Sequence, residues 1–302
     1  MQLCSALFFV ALREKRKILR ADIEKAKKAL MSKTGILRNF VRCLITPIIR
    51  NNNMKKIAGL DFTDPLTFII SLVLLVVIVF LRYVLLSGAY HWMVSKFGPT
   101  FLKHRLLYAP LNHSKQIRRE LVLSSYSALI FGVVGMVVLV MYQLGLTKVY
   151  TDLNEYPLWY IPLSVIIYLL IHDFYYYWLH KWMHLSPVLS RYHMAHHKSV
   201  RTTAFTSFSF HPVESVLQAV ILPVIVMILP MSLVAVFITL FLMTLSAIIN
   251  HAGVEVYPIG KRAGFIRTHF IGATHHDHHH RNMKKNYGLY FTFWDRWMKT
   301  EK

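Results

Sequence analysis

Four long runs without a charged side chain constrain this sequence more than any other feature. Leu66–Leu81 is the first, and it continues past Arg82 to about Leu86. Leu121–Leu146 spans 26 residues, and Tyr156–Ile171 leads straight into His172. Ser215–Asn250 spans 36 residues, interrupted by Pro223 and Pro230. A helix that spans a bilayer needs ~20 apolar residues. The first three runs therefore predict one crossing each. The fourth, ~54 Å long as helix at ~1.5 Å per residue, predicts two short crossings turning near Pro230. The chain is 55% hydrophobic, too apolar for an ordinary soluble domain.

The histidines are equally patterned. Of 17, 14 lie between His172 and His280. His180 and His184 form one pair. His193, His196 and His197 read H-x-x-H-H, and His276, His279 and His280 repeat that pattern inside THHDHHH. Residues three and four apart share a helix face, so each cluster aims its rings at one region. Imidazole suits iron, copper and zinc. These eight rings exceed what one tetrahedral zinc uses, so two metal ions are the natural count. His172 falls about 80° off the face of His180, and His211 reads as a structural residue. Asp173, Glu214 and Asp277 adjoin the clusters. They are candidates to accept the second ring N–H of a metal-bound histidine. Asp295 reads as an anchor for the C-terminal segment, and Asn286-Tyr287-Gly288 as a turn.

Two cysteines, Cys4 and Cys43, offer neither a disulfide framework nor a thiolate site. The net charge of +21 does not mark nucleic-acid binding. Residues 1–60 hold 14 Lys/Arg against 3 Asp/Glu, and the 96–119 segment is also basic. Such an excess marks cytoplasmic loops and attraction to anionic lipid. One shared metal site needs all three clusters on the same side, which the Pro230 hairpin provides. Loop charge makes that side cytoplasmic. Three crossings before the clusters would then leave the basic residues 1–53 outside, against the same tendency. The sequence thus predicts a dispensable or non-native extension over 1–53 and a working domain over 54–302, with its catalytic part about 157–302.

Several blocks carry a resemblance: HDFYYYWLHKWMH (172–184), RYHMAHH (191–197), FHPVE (210–214), NHAG (250–253), THHDHHH (274–280) and NYGLYFTFWDRW (286–297). Their order and spacing resemble the fatty acid hydroxylase/sterol desaturase superfamily of integral-membrane non-haem di-iron enzymes, and most closely its bacterial sterol desaturase-like branch. The resemblance covers about the last 130 residues. It implies an all-α, polytopic membrane bundle with a cytoplasmic helical cap around a histidine-rich di-metal site. It implies two Fe2+ ions held by His180, His184, His193, His196, His197, His251, His276, His279 and His280, with His275 as a further ligand or supporting residue. It also implies O2 as co-substrate, a lipid substrate reached through the bilayer, and a separate electron donor such as a ferredoxin or a cytochrome with its reductase. A multi-pass protein of the bacterial inner membrane follows from it. Sterols, hopanoids, fatty acyl chains, sphingoid bases and alkyl glycerols are all substrates within that superfamily.

Two departures stand out. His278 occupies a place where the family carries a bulkier apolar residue, which makes it an outward-facing extra. Lys299 replaces the glycine of W-D-R-x-x-G-T. Tyr175–Trp178 either line a substrate entry or form an interfacial belt. The competing class is a non-redox metal protein, either a transporter or a structural zinc protein. A transporter would place its ligands at mid-membrane on broken helices.

Overall fold

Asp64 opens the first helix by accepting the Thr67 N–H at 2.9 Å. Pro65 takes the first helical position, where its missing N–H is no loss. From there α1 (Pro65–Phe101) runs for 37 residues in the computed structural model. The structure describes Ile57 and residues 59–108, 114–258 and 264–302. The proposed extension over 1–53 lies outside the described residues. Residues 56–143 and 147–302 form one unit.

Four further legs follow. Helix α2 (Ser114–Gln143) returns antiparallel to α1, because Gln143 at its end accepts the Phe62 N–H at 2.7 Å, just before α1 begins. Helix α3 (Tyr160–Leu185) carries the first histidine pair, and α4 (Pro187–His197) carries the second cluster. The long apolar run then folds as α5 (Pro212–Ala219), α6 (Ile221–Ile228) and α7 (Leu233–His251). The break between α5 and α6 lies where the Pro223 ring would meet the Ala219 carbonyl, four residues back. The cap is completed by α8 (Gly264–His269), α9 (Ala273–Arg281), which bears the third cluster, and α10 (Phe293–Trp297).

The run does turn near Pro230. Ser232 caps α7 by accepting the Ala235 N–H at 3.0 Å. Strand β1 (Val149–Tyr150) pairs in parallel with β2 (Met231–Ser232), so this turn lies at the end of the bundle where α2 stops and α3 starts. Both ends of the run meet at the histidines: Glu214 Oε1 lies 2.8 Å from His193, and His251 lies 3.2 Å from His196. All histidine clusters therefore gather at one end, opposite β1 and β2.

Length and composition single out fewer helices than the apolar runs suggested. Three described helices are long and apolar enough to cross a membrane: α1, α2 and α7. The expected crossing at Tyr156–Ile171 is not among them. Its residues enter α3, whose outer face exposes Ile166, Leu170, Phe174 and Trp178 while its inner face buries His172, Asp173, Tyr176 and His180. Polar groups reach too far along α3 to leave an unbroken apolar stretch. The two halves of the fourth run are also unequal, since Pro212–Ile228 is shorter than a full crossing and Leu233–His251 is not.

Helices α1 and α2 approach closely at Gly132, where an added Cβ would lie 2.5 Å from Val76 Cγ2 and 3.1 Å from the Val76 backbone. A small residue at such a point lets two helices pack without a hydrophobic drive between them. The outward residues of α1, including Leu66, Ile69, Val73 and Leu85, remain exposed, as a lipid-facing surface does. The buried core under α3 comprises Val165, Tyr168, Ile221, Ile225, Met231 and Ala235.

Candidate metal centre

Helical spacing sorts the histidines into two groups rather than three. His180, His184, His193, His197 and His279 form one, and His196, His251, His276 and His280 the other. In each group the ligand atoms lie within 4.8 Å of one another. In both H-x-x-H-H helices the residues four apart stay together, and the residue three along turns to the other group. His193 and His197 thus share a group while His196 leaves it; His276 and His280 share the second while His279 leaves it. All nine rings are buried except that of His184, which is half-buried.

The Nε2 atoms converge. His180 and His193 lie 3.1 Å apart, His193 and His197 3.0 Å, His197 and His279 3.2 Å, and His279 and His184 3.1 Å. In the second group His196 to His251 is 3.2 Å and His251 to His276 is 2.9 Å. The other ring nitrogens explain why these contacts are not ordinary hydrogen bonds. His180 Nδ1 donates to the Tyr287 carbonyl at 2.9 Å, His279 Nδ1 to that of Lys285 at 2.7 Å, and His251 Nδ1 to that of Ala247 at 2.7 Å. A carbonyl only accepts, so the proton of each neutral ring sits on Nδ1 and the Nε2 lone pair faces inward. His193 Nδ1 faces Glu214 Oε1 at 2.8 Å, which leaves its Nε2 pointing toward His180 and His197. Lone pairs set ~3 Å apart match adjacent corners of a metal shell with ~2.1 Å bonds.

Burial keeps these rings neutral. It lowers His184 to about 4 and His279 to about 3, with neighbouring imidazoles adding to the effect at His279. His180, His193, His196, His197, His276 and His280 fall well below the usual histidine value, again first through burial and then through adjacent rings. Neutral imidazole is the form that binds metal. His280 is 1% exposed, yet neither ring nitrogen has a hydrogen-bond partner among the described residues.

Of the three acids expected to orient rings, Glu214 contacts a grouped histidine, its Oε1 2.8 Å from His193 Nδ1. The other two do not. Asp173 accepts the backbone N–H groups of Leu289 and Tyr290 at 3.0 and 2.8 Å, and that of Phe291 at 3.2 Å. Asp277 accepts from Tyr108 Oη at 2.9 Å and pairs with Arg281 at 3.0 Å. On α3, Asp173 is nearly two turns short of His180 and faces the C-terminal strap instead. Asp295 anchors that strap as expected, accepting the Tyr287 and Gly288 N–H groups at 2.8 and 2.9 Å. It also accepts from Thr300 Oγ1 at 2.8 Å, while Arg296 pairs with Glu301. Asp173 and Asp295 thereby hold residues 287–291, which places the Tyr287 carbonyl on His180.

The remaining candidates fall elsewhere. His275 lies outside both groups, its Nε2 3.9 Å from Asp295. It sits beside the 276/280 face of α9 and turns toward α10. His278 is half-buried and in neither group. His172 stays off the ligand face and lies 3.2 Å from Tyr290 Oη, and His211 caps α5 through the Val213 N–H. Within Tyr175–Trp178, Tyr176 lines an interior cavity, while Trp178 faces outward. Sequence reasoning missed the carbonyls of Tyr287, Lys285 and Ala247, for which no side-chain signal exists. It also missed Glu120. That buried acid accepts from Ser199, Thr203 and Thr206 at 2.7–2.9 Å and ties α2 to the segment after α4.

The family profile described as fatty acid hydroxylase matches residues 165–300, which contain all nine grouped histidines. Residues 165–300 belong to the fatty acid hydroxylase family. Curated relatives of this fatty acid hydroxylase domain act on sterols by name. Human lathosterol oxidase is 30% identical over 196 residues, 64% of this chain and 64% of the relative. A Delta(7)-sterol 5(6)-desaturase of Gibberella zeae is 26% identical over 219 residues, covering 68% and 66%. A putative Delta(7)-sterol-C5(6)-desaturase of Arabidopsis thaliana is 30% identical over 164 residues, covering 52% and 54%. The chain thus spans just under two thirds of the length of human lathosterol oxidase. No solved structure matches the chain.

Proposed function

We propose that this chain is an O2-dependent, di-iron membrane lipid oxidase, a hydroxylase or desaturase of a sterol, fatty acyl or related lipid. The observation that carries the reading is the division of nine imidazoles, eight buried and one half-buried, into two groups of converging ring nitrogens. The donor set is all nitrogen, which suits iron and exceeds one zinc. His280, with both nitrogens buried and unpartnered, fits a ligand position better than a packed core residue. His180, His184, His193, His197 and His279 would hold one ion, and His196, His251, His276 and His280 the other. Two iron ions held there would supply the O2 activation needed to abstract hydrogen from an unactivated C–H bond.

The chain's own part is binding, orientation and exclusion of water. A cavity of ≈ 180 Å³ lies among α1, α2, α3, α5, α6 and α7. Leu75, Phe131, Tyr176, Met243 and Leu289 line it, and so does His251, a member of the second group. A lipid in this cavity would therefore lie against the metal site in apolar surroundings. Glu214 orients His193, and the strap held by Asp173 and Asp295 orients His180. The chain would take its electrons from a separate ferredoxin or cytochrome. The histidine end would face the cytoplasm, where fusions after Arg201 and after Lys285 should both report.

A transporter or a structural zinc protein is less well supported. The rings sit at helix ends and in the cap, not at the middle of a broken helix. The test is turnover under 18O2 with reductant and membrane lipid. A hydroxylase places 18O in the lipid, and a desaturase removes two hydrogens without placing it. The His279→Ala variant should do neither. Unaltered lipid with the wild-type protein would contradict the reading.

A further inference from the structure

Arg82 interrupts the first apolar run and stays within α1. It shares a helix face with Leu75 and Val79, seven and three positions away, and all three line the interior cavity. Its Nε is buried without a hydrogen-bond partner, and Arg82 makes no ion pair among the described residues. Nor can the buried carboxylate of Glu120 be spared for it. Glu120 Oε1 already accepts from Gln116, Ser199 and Thr206, and Oε2 from Thr203. The neighbouring Tyr83 donates to the Phe205 carbonyl at 2.7 Å, which places this turn of α1 beside the segment leading into the cap. Of the residues lining the cavity, Arg82 alone carries a permanent charge.

A guanidinium in an apolar wall is costly unless something pairs with it, and within a membrane helix such a residue is a functional position by default. Pockets of this kind bind through apolar area and take their orientation from a few polar groups. We propose that Arg82 receives the oxygen-bearing end of the lipid substrate and so sets which carbon comes to rest against His251. The ligand chemistry is a hydrogen-bond acceptor oxygen, hydroxyl or carboxylate, on one end of a hydrocarbon body. Arg82 lies outside the 165–300 family match, so this is a specificity element of the upstream helices. The proposal rests on reading the cavity as the lipid site.

The test compares binding of two lipid pairs to the iron-loaded full chain in detergent, read by native mass spectrometry. Cholestanol is set against cholestane, and stearate against octadecane. The wild type should retain the oxygenated member of at least one pair on the order of 10-fold or more over its hydrocarbon, as a hydrogen bond to a charged group allows. Which pair shows the preference tells hydroxyl from carboxylate. Arg82→Met should bring the preference to within about 2-fold, and Arg82→Lys should keep part of it. Should Arg82→Met fail to fold, the wild-type preference and the Lys variant still decide. Binding of both members of each pair alike by the wild type would overturn the proposal and leave the lipid-oxidase reading standing. An undiminished preference in Arg82→Met would also overturn it. Iron-loaded protein that retains none of the four lipids would overturn both.

Discussion

His196 and His197 are neighbours in the chain, yet their rings turn to different metal groups. His197 Nε2 lies 3.0 Å from His193, whereas His196 Nε2 lies 3.2 Å from His251. One turn of α4 therefore serves both groups, and each H-x-x-H-H cluster is divided between them.

This sharing predicts a graded loss. His196→Ala leaves three rings in the second group, and His197→Ala leaves four in the first. His196→Ala should retain about one metal per chain, with activity reduced beyond the ~10–100-fold that loss of an outer partner costs. His197→Ala should retain more metal than His196→Ala. Elemental analysis beside a turnover assay checks both. His91 and His104 lie outside both groups, and their replacement should change neither measurement.

Glu214 acts through His193. Its Oε1 also accepts from Gln218 Nε2 at 3.0 Å, so one buried carboxylate is steadied on two sides. Glu214→Ala should weaken metal retention by ~10–100-fold, and Glu214→Gln should recover part of that. Metal affinity by competition with a chelator is the measurement. Equal affinity in all three proteins would remove the role.

Acid should strip the site. The folded rings titrate below the unfolded value, His184 at about 4 and His279 at about 3. Between ~6.5 and those values the unfolded chain binds more protons than the folded one, so stability falls as pH falls through that window. Protons also compete with metal for the same Nε2 lone pairs. Metal retention and thermal stability should both be full above pH ~6.5 and decline together below it, with a slope steeper than one proton. Retention that is flat to pH ~4 would contradict the ligand assignment.

Much of the site was legible because helical spacing is a rigid constraint. Residues four apart fall together, and the number of rings carried the count of two groups; the partition was not legible, because each H-x-x-H-H cluster aims at two regions and not at the single region expected. The hairpin at Pro230 was legible from length and from the need to bring the third cluster back. The outer partners were not. Lys285 and Tyr287 act through carbonyls that every residue possesses, and Asp173 was misread because adjacency in sequence to His172 says nothing of the strap it holds. The polar face of α3 was not legible either. An apolar run predicts a helix but not that one face of it turns polar.

Lys299 carries a small cost that glycine would avoid. Its φ is 55°, in the left-handed region, at the place where the resembling family has glycine. Lys299→Gly should raise thermal stability by about 1 kcal/mol, the left-handed cost less glycine's entropy. The Lys285 Nζ contact to the residue-299 carbonyl survives the change. A calorimetric scan of the two proteins reads the difference.

The central claim is that two adjacent groups of neutral imidazoles hold two iron ions. Metal content of protein purified without oxygen tests it most directly. The account predicts two iron atoms per chain, falling in the His196→Ala and His279→Ala variants while both remain in the membrane. One zinc and no iron per chain would contradict it.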